Sequence, residues 1–590
     1  MTTNTASGQT GSIQHLMDTA LGRRAADLAV INARVLNVFT GELLENQCVC
    51  VTAGKIAYVG QIRPEMTGAD THVIDADGMV VIPGFIDGHA HIAGGYCPEE
   101  FLNYAMRGGT TAVVTEVFES YFFAGLDGVL DFLAACADQP IKIFATAPAM
   151  VSISGLSAGI DPQDLEHLLA RPEILGMGES YWQGVLQHPE KYISAFETVR
   201  RSGKTLEGHT AGAGEQKLAA YLAAGISSCH EPITAEEALS RLRQGLCVMI
   251  REGSVRRDLE AVSEIRNKGV DLRRAALVSD GITPETLVEN GYMEAIVQKA
   301  IDLGFAPVDA IRMATLNVAE HFGMDQQMGA VAPGRDADFL LVPDLETIRA
   351  ECVVSCGRII ARQGKLMVSP RSHTFSEASG NTVSLPRAFT ADDFAVRAPE
   401  ERPTRRIRTI EMVTDLVTRE KILDMPVEGG EIAADPEKNI NKVAAINRKQ
   451  VPGRCFTGFI QGFGIQAGAL ASSGAWDTSD LIVVGADEAD MAAVVNRIRE
   501  TGGGTVAVKD GRVIAELSQP VLGVMSELPM EQIIEANRRL KAAAETLGIG
   551  FPDPVLSLMT LTGAAIPFLR ICEQGLVDLK TGNTVDLFAD

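Results

Sequence analysis

Two histidines, His89 and His91, follow an apolar run in the segment VVIPGFIDGHAHI. In an extended strand, residues i and i+2 project to the same side, so both imidazoles can reach one metal ion. The pattern is weak evidence when it stands alone, because two unrelated polar residues often have this spacing. It becomes informative here because histidine is scarce, with 10 in the whole chain.

Four further ionisable residues close β-rich segments of the sequence. They are Glu179 in ILGMGE, His209 in TLEGH, His230 in AGISSCH and Asp280 in AALVSD. Together with the first two histidines they make a set of four imidazoles and two carboxylates. Such a set can hold two divalent metal ions bridged by one carboxylate, or one ion with a catalytic acid left over.

The segments that carry these residues alternate with helix-like stretches between residues 84 and 330. This order predicts an α/β fold with a (β/α)8 barrel, in which the C-terminal ends of the parallel strands meet at one mouth. All six candidate ligands are then expected at that mouth.

The rest of the chain is predicted to form further parts. The β-rich runs on both flanks of the barrel, residues 1–83 and 331–375, indicate one small β-sandwich-like module. Residues 376–405 are rich in Ser, Thr, Pro and Arg, which is typical of an exposed linker. Residues 406–590 combine apolar strand patterns with amphipathic helix patterns, and they predict an additional C-terminal α/β domain.

The charge balance excludes several classes of partner. The 590 residues include 76 acidic and 52 basic side chains, which gives a formal net charge of −24. We therefore expect neither nucleic acid nor an anionic membrane as a partner, because both bind basic surfaces. No run of about 18 apolar residues and no signal-peptide pattern appears, so we expect a cytoplasmic protein. The 10 scattered cysteines predict reduced and mostly buried thiols.

Longer blocks of the sequence carry a more specific signal than the ligand pattern. They include PGFIDGHAHI, GMGE, LEGHTAG, HEPITAEEALSRLRQG, IREGS and GAVAPGRDADFLLV, followed by GFGIQAGALASS and LIVVGADEADMAAVVNRIRETGGGTVAVKDG near the C-terminus. These blocks resemble the microbial adenine deaminase family of the amidohydrolase superfamily. The resemblance implies a metal-dependent hydrolase barrel that converts adenine and water to hypoxanthine and ammonia, with Mn, Fe or Zn. It also implies that Glu179 stands where many members of the superfamily have a carboxylated lysine.

Catalytic roles follow in part from the residues and in part from the resemblance. Asp280 is a carboxylate beside the metal, so we predict that it accepts the proton of the attacking water. In IREGS, the pair Arg251 and Glu252 is on pattern alone typical of a surface ion pair. The resemblance favours Glu252 as a catalytic residue that contacts a ring nitrogen and Arg251 as a substrate-binding residue.

Three segments depart from the family pattern. HIAGGY places Ala93 where the family has a glutamate. VVTEVFES stands where the family has Asp-Pro-His-Glu, so Glu116 or Glu119 can supply the missing carboxylate, but the histidine is absent. AWDTSD replaces Ala-His-Asp-Ser-His-Asn in the C-terminal domain. We predict Glu119, Trp476 and Asp477 as substrate-binding residues.

Other functions stay open on the sequence alone. A hydrolase that opens a cyclic amide, such as a hydantoin, imide or lactam, would use the same metal-activated water, and the altered segments motivate this alternative. A catalytically degenerate metal-binding scaffold is a third hypothesis, which the presence of all six candidate ligands disfavours. In every enzymatic case we expect a small heterocyclic substrate and one or two divalent metal ions. The resemblance also implies a homo-oligomer, a dimer or a tetramer.

Overall fold

Eight parallel strands form a barrel in the computed structural model, which describes residues 6–399 and 402–589. Their bounds are Phe85–Ala90, Thr110–Glu116, Lys142–Pro148, Ile174–Tyr181, Thr205–His209, Ser228–Cys229, Cys247–Arg251 and Ala275–Val278. The first five pair in one sheet and the last three in another. The amide of Ser227 donates to the carbonyl of Leu206 at 2.8 Å and joins the two sheets. A parallel bridge between Ala90 and Asp280 brings the last strand back to the first, so the predicted (β/α)8 barrel is confirmed.

Helices surround the strands and shield them from solvent. Their bounds are Pro98–Ala105, Phe118–Cys136, Pro162–Leu169, Trp182–Gln187, Pro189–Ser202, Glu215–Ala223, Ala235–Arg243, Leu259–Val262, Pro284–Asn290, Met293–Asp302, Pro307–Met313 and Leu316–His321. Side chains alternate between the two sides of each strand. Met249 packs in a cluster with Ile86 and Val278 inside the barrel, whereas Val248 and Ile250 pack towards the helices.

The sequences on both flanks of the barrel meet in a single nine-stranded sheet. Its strands are Leu28–Asn37, Glu42–Thr52, Lys55–Gly60, His72–Asp75, Val80–Pro83, Phe339–Val342, Cys352–Ser355, Arg358–Arg362 and Lys365–Leu366. The strand Val80–Pro83 comes just before the barrel in the sequence. It pairs antiparallel with Phe339–Val342, the first strand after the barrel. The helix Ala6–Ala20 precedes this sheet. The sandwich-like shape and the domain bounds stay predictions.

The C-terminal part is built on an eight-stranded sheet. Its strands are Thr404–Met412, Thr418–Pro426, Ile440–Asn447, Cys455–Gln461, Ala469–Ser472, Asp480–Gly485, Gly504–Lys509 and Arg512–Ser518. The helices Glu488–Thr501, Met530–Leu547 and Pro554–Met559 accompany this sheet, and a three-stranded sheet of Leu569–Cys572, Gly575–Asp578 and Asn583–Val585 ends the domain. The short strand Met525–Ser526 pairs with Gly95–Tyr96, which directly follows the His-x-His segment. The C-terminal part therefore contacts the barrel at its mouth.

The segment predicted as an exposed linker, residues 376–405, is not exposed throughout. It contains the helix Glu377–Gly380 and the 3-10 turn Ala391–Phe394. Four of its apolar side chains are buried in a cluster with the C-terminal sheet, namely Val383, Leu385, Phe389 and Phe394. The Ser/Thr/Pro composition hid these apolar positions, and this part of the prediction was wrong.

Two expectations concern the whole chain. Within the described residues the cysteines are free thiols and most are buried, with Cys356 exposed and Cys455 half-buried, as predicted. Among the same residues, every helix is too short or too polar to cross a membrane.

A buried carboxylate at the barrel closure gives a test of the fold. Asp87 accepts hydrogen bonds from the Tyr292 hydroxyl at 2.6 Å, from the Ser279 amide at 3.2 Å and from the His89 amide at 3.1 Å. Burial raises the pKa of Asp87, and the bonds from Ser279 and Tyr292 oppose this rise. We expect Tyr292→Phe to destabilise the protein by about 1–3 kcal/mol, because a buried acceptor loses its donor. Thermal unfolding measures the loss, with Tyr58→Phe as the control, because the Tyr58 hydroxyl donates to the Gln61 carbonyl at the exposed surface at 3.3 Å. An unchanged midpoint for Tyr292→Phe would contradict the role given to Asp87.

Candidate metal centre

The six predicted ligands come together at the mouth of the barrel around one carboxylate, Glu179. Its oxygens lie 2.9 Å from Nε2 of His89, 3.3 Å from Nε2 of His209, and 3.6 Å from Nε2 of both His91 and His230. The second carboxylate, Asp280, lies 3.3 Å from Nε2 of His91 and 3.6 Å from Nε2 of His89. All six side chains are buried or nearly so.

The strand ends place these side chains through backbone hydrogen bonds. The amide of Asp280 donates to the carbonyl of His89 at 3.0 Å, and the amide of His91 donates to the carbonyl of Asp280 at 2.8 Å. Asp280 has a φ of +62°, a left-handed conformation that Asp tolerates better than most residues. This turn directs the carboxylate of the last strand towards the histidines of the first.

Burial works against charge in this cluster, but the contacts between its members outweigh it. Burial alone would raise the pKa of Glu179, yet His209 and His89 hold that pKa well below its usual range. Burial alone would lower the pKa of His89, yet the carboxylates of Asp280 and Glu179 raise it to about 10. Burial, His89 and His209 together lower the pKa of His230. Positive charge beside the two carboxylates, from protons or from a metal cation, thus stabilises their ionised form.

The donor atoms of the cluster fit a divalent metal ion. Nε2 of His89, Nε2 of His209 and Oε1 of Glu179 are buried, and although the first and the last lie 2.9 Å apart, none of the three has hydrogen-bond geometry to a described residue. Buried polar atoms are normally hydrogen-bonded, so these atoms are available as ligands. Two triads have ligand atoms within 4.8 Å of one another: His89 with Glu179 and His230, and His89 with His91 and Asp280. Imidazole nitrogens with carboxylate oxygens are a common donor set for transition metals.

The structure places Arg251 in the site and Glu252 outside it. Arg251 lies 3.3 Å from Oδ2 of Asp280 and 2.8 Å from Asp258. Because side chains alternate along a strand, Glu252 points to the opposite side, where its carboxylate lies 2.8 Å from Nζ of Lys299. Glu252 thus pairs with Lys299 and not with the ligand cluster, so its catalytic role stays a prediction without a supporting contact. The ion pair that the dipeptide suggests does not form either, because Arg251 pairs with Asp258 and Asp280.

Glu119 also has a different contact from the one predicted. Its Oε1 lies 3.1 Å from Nδ1 of His91, so it contacts a candidate metal ligand, whereas the prediction assigned it to the substrate. Glu231, which the sequence reasoning missed, lies in the same way 3.0 Å from Nδ1 of His209. Its position directly after the strand-end His230 was the available signal.

The C-terminal domain brings one of its two predicted residues to the site. Asp477 accepts a hydrogen bond from the Ala564 amide at 2.7 Å, and the hydroxyl of Tyr181 lies 3.3 Å from its carboxyl group. Burial raises the pKa of Asp477 to about 7, against the effect of the Ala564 amide. Trp476 is half-buried and does not line the cavity described next, because its backbone is held by Met559 and Thr562 within the C-terminal domain.

A small cavity joins Glu179 to Asp477. Its other walls are Phe118, Phe122, Ala149, Met150, Val151 and Tyr181. Phe118 stands in the segment VVTEVFES, where the family pattern has a histidine, and its ring packs edge-on against His91 at 5.5 Å. The space beside the ligand cluster is thus mostly apolar, with one carboxyl group from the C-terminal domain.

Comparisons with known sequences agree with this arrangement. Residues 80–367 match the amidohydrolase family, and residues 415–583 match the adenine deaminase C-terminal domain. An adenine deaminase of Moorella thermoacetica is 36% identical over 583 residues, which cover 97% of this chain and 98% of the relative. The chain belongs to the adenine deaminase family. A member from Ruegeria is 35% identical over 96% of this chain. A member from Clostridium botulinum is 34% identical over 98% of this chain. The family resemblance is confirmed, and this family member is a metal-dependent hydrolase of C–N bonds.

The position of Glu252 gives the test of this site assignment. We expect Glu252→Gln to keep the bound metal and kcat/KM, because its side chain lies on the outer side of the barrel. Loss of the pair with Lys299 should lower stability by about 0.2–1 kcal/mol. Metal analysis, kinetics and thermal unfolding measure the three quantities, with the exposed Glu264→Gln as the control. A large fall in kcat with the metal retained would show that Glu252 takes part in catalysis.

Proposed function

We propose that the protein hydrolyses adenine to hypoxanthine and ammonia at this cluster. The observation that carries the proposal is the convergence of all six ligand candidates in a chain that aligns over nearly its full length with adenine deaminases. The metal ligands in the proposal are His89, His91, Glu179, His209, His230 and Asp280. They would hold one or two ions of Mn, Fe or Zn.

A divalent ion supplies Lewis acidity when bound, which lowers the pKa of a water molecule towards about 7. Asp280 is placed to move the proton. Its Oδ1 faces His89 and His91, and its Oδ2 contacts Arg251, so its orientation is fixed. Asp280 accepts the proton of the attacking water and passes it to the amino nitrogen, which leaves as ammonia while the ring carbon gains oxygen.

The cavity between Glu179 and Asp477 marks the proposed substrate site. Because it has room for about one water molecule in this structure, its walls must move apart to admit a purine ring. The planar ring lies against the apolar side chains of Phe118, Phe122 and Met150, which exclude water. Asp477 is the polar group that the C-terminal domain adds to this wall, and we assign it to a ring nitrogen. Arg251 acts through Asp280 and has no separate substrate contact in this proposal.

Several finer expectations belong to the same proposal. The sequence supports a cytoplasmic location and a division into the small module, the barrel and the C-terminal α/β domain, and the family resemblance favours a dimer or tetramer. The cyclic-amide alternative uses the same cluster, but no contact in the structure favours it over adenine.

Deamination by the Asp280 variant tests the reaction. Full-length protein loaded with Mn²⁺ is expected to release ammonia and form hypoxanthine from adenine. We expect Asp280→Asn to lower kcat by about 10²–10⁴-fold, because the proton acceptor is lost while five ligands remain. Ammonia assay, hypoxanthine absorbance and metal analysis of both proteins decide the matter. Cleavage of a cyclic amide without turnover of adenine would favour the alternative, and full turnover by Asp280→Asn would remove this residue from its role.

The substrate contact of Asp477 has its own test. Asp477→Asn keeps the shape of the side chain but removes a carboxyl group from the cavity. We expect KM for adenine to rise by about tenfold or more, which corresponds to the loss of one hydrogen bond to a charged group. Asp586→Asn, at an exposed position of the same domain, is the control. An unchanged KM would exclude a contact between Asp477 and the substrate.

A further inference from the structure

Three carboxylates outside the ligand set stand behind its histidines, on the Nδ1 side of each ring. The pairs are His209 with Glu231 at 3.0 Å, His91 with Glu119 at 3.1 Å and His89 with Glu116 at 3.6 Å. In each pair the opposite nitrogen, Nε2, faces Glu179 or Asp280. The His91–Glu119 contact is a hydrogen bond and the other two are ion-pair contacts, so a carboxylate stands behind each ring while its other nitrogen faces the centre.

In each pair the histidine lies at the end of one barrel strand, and the carboxylate lies at or just after the end of the next strand. His91 follows the first strand, and Glu119 lies in the first turn of the helix after the second. His209 ends the fifth strand, and Glu231 comes just after the sixth. Because neighbouring strands lie side by side, each carboxylate links two adjacent strand ends across the mouth.

Glu231 holds the backbone as well as the ring. Its Oε2 accepts a hydrogen bond from the amide of Ala211 at 2.6 Å, two residues beyond His209. The side chain is about 10% exposed. The same carboxylate thus lies against the ring of His209 and holds the turn that follows it.

We propose that Glu119 and Glu231 are positioning residues of the metal centre. A carboxylate behind Nδ1 accepts the proton of that nitrogen, which selects the tautomer whose Nε2 lone pair is free for a metal ion. The carboxylate also limits rotation of the ring, so the side chain loses less conformational entropy when the ion binds. Glu119 then acts through His91 and does not bind the substrate. Glu116 has the longest distance of the three and is expected to contribute least.

The inference rests on the metal centre of the proposed function but not on the identity of the substrate. Its test is the affinity of the metal-free, full-length protein for Mn²⁺, measured by calorimetric titration without substrate. We expect Glu119→Ala and Glu231→Ala to bind Mn²⁺ about 10–100-fold more weakly. Glu119→Gln and Glu231→Gln should lose less, because an amide oxygen still accepts the Nδ1 proton. The exposed Glu264→Ala is the matched control.

Kinetics at saturating Mn²⁺ separate positioning from substrate binding. We expect each variant to recover most of its kcat once the metal site is filled, with KM for adenine unchanged. Wild-type Mn²⁺ affinity in both alanine variants would overturn the proposal, as would a raised KM at unchanged metal affinity. If an alanine variant does not fold by circular dichroism, its glutamine variant decides: a measurable loss of affinity supports the proposal and an unchanged affinity contradicts it. Failure of the unsubstituted protein to deaminate adenine would contradict the proposed function and leave this test intact.

Discussion

The closure of the barrel between its first and last strands is the constraint on which the site depends. Asp280 donates its amide hydrogen to the carbonyl of His89 and accepts one from the amide of His91. Asp87, buried beneath them, accepts from the amides of both His89 and Ser279. The residues that close the ring of strands are thus the residues that carry or flank the ligand side chains. A change that opens this seam disturbs the fold and the metal centre together.

The C-terminal domain belongs to the same mouth. Tyr181 ends the fourth strand, its ring stacks on His209 at 4.2 Å, and its hydroxyl faces Asp477. On the other side of the mouth, Met525–Ser526 pairs with Gly95–Tyr96 after the first strand. The cavity beside Glu179 has walls from both parts of the chain. The barrel alone would leave the proposed substrate site open on the side of Asp477.

The ligands could be predicted from the sequence because a position at the end of a strand leaves a local sequence pattern. His89, His91 and Asp280 each follow an apolar run, and the barrel topology brings such ends together. Glu252 also follows a strand, but the alternation of side chains turns it away, and its partner Lys299 is distant in sequence. The buried apolar residues of 376–405 escaped prediction for a similar reason, since their partners lie in a sheet formed later in the chain. Such contacts between distant residues leave no local pattern.

Anomalous X-ray scattering from crystals of the Mn²⁺-loaded protein tests the central claim most directly. The account predicts one or two strong peaks at the manganese absorption edge, enclosed by Nε2 of His89 and the carboxylates of Glu179 and Asp280. The same crystals should lack these peaks after treatment with a chelator. A protein that deaminates adenine but shows no peak at the mouth of the barrel would contradict the assignment of this cluster as the catalytic metal centre.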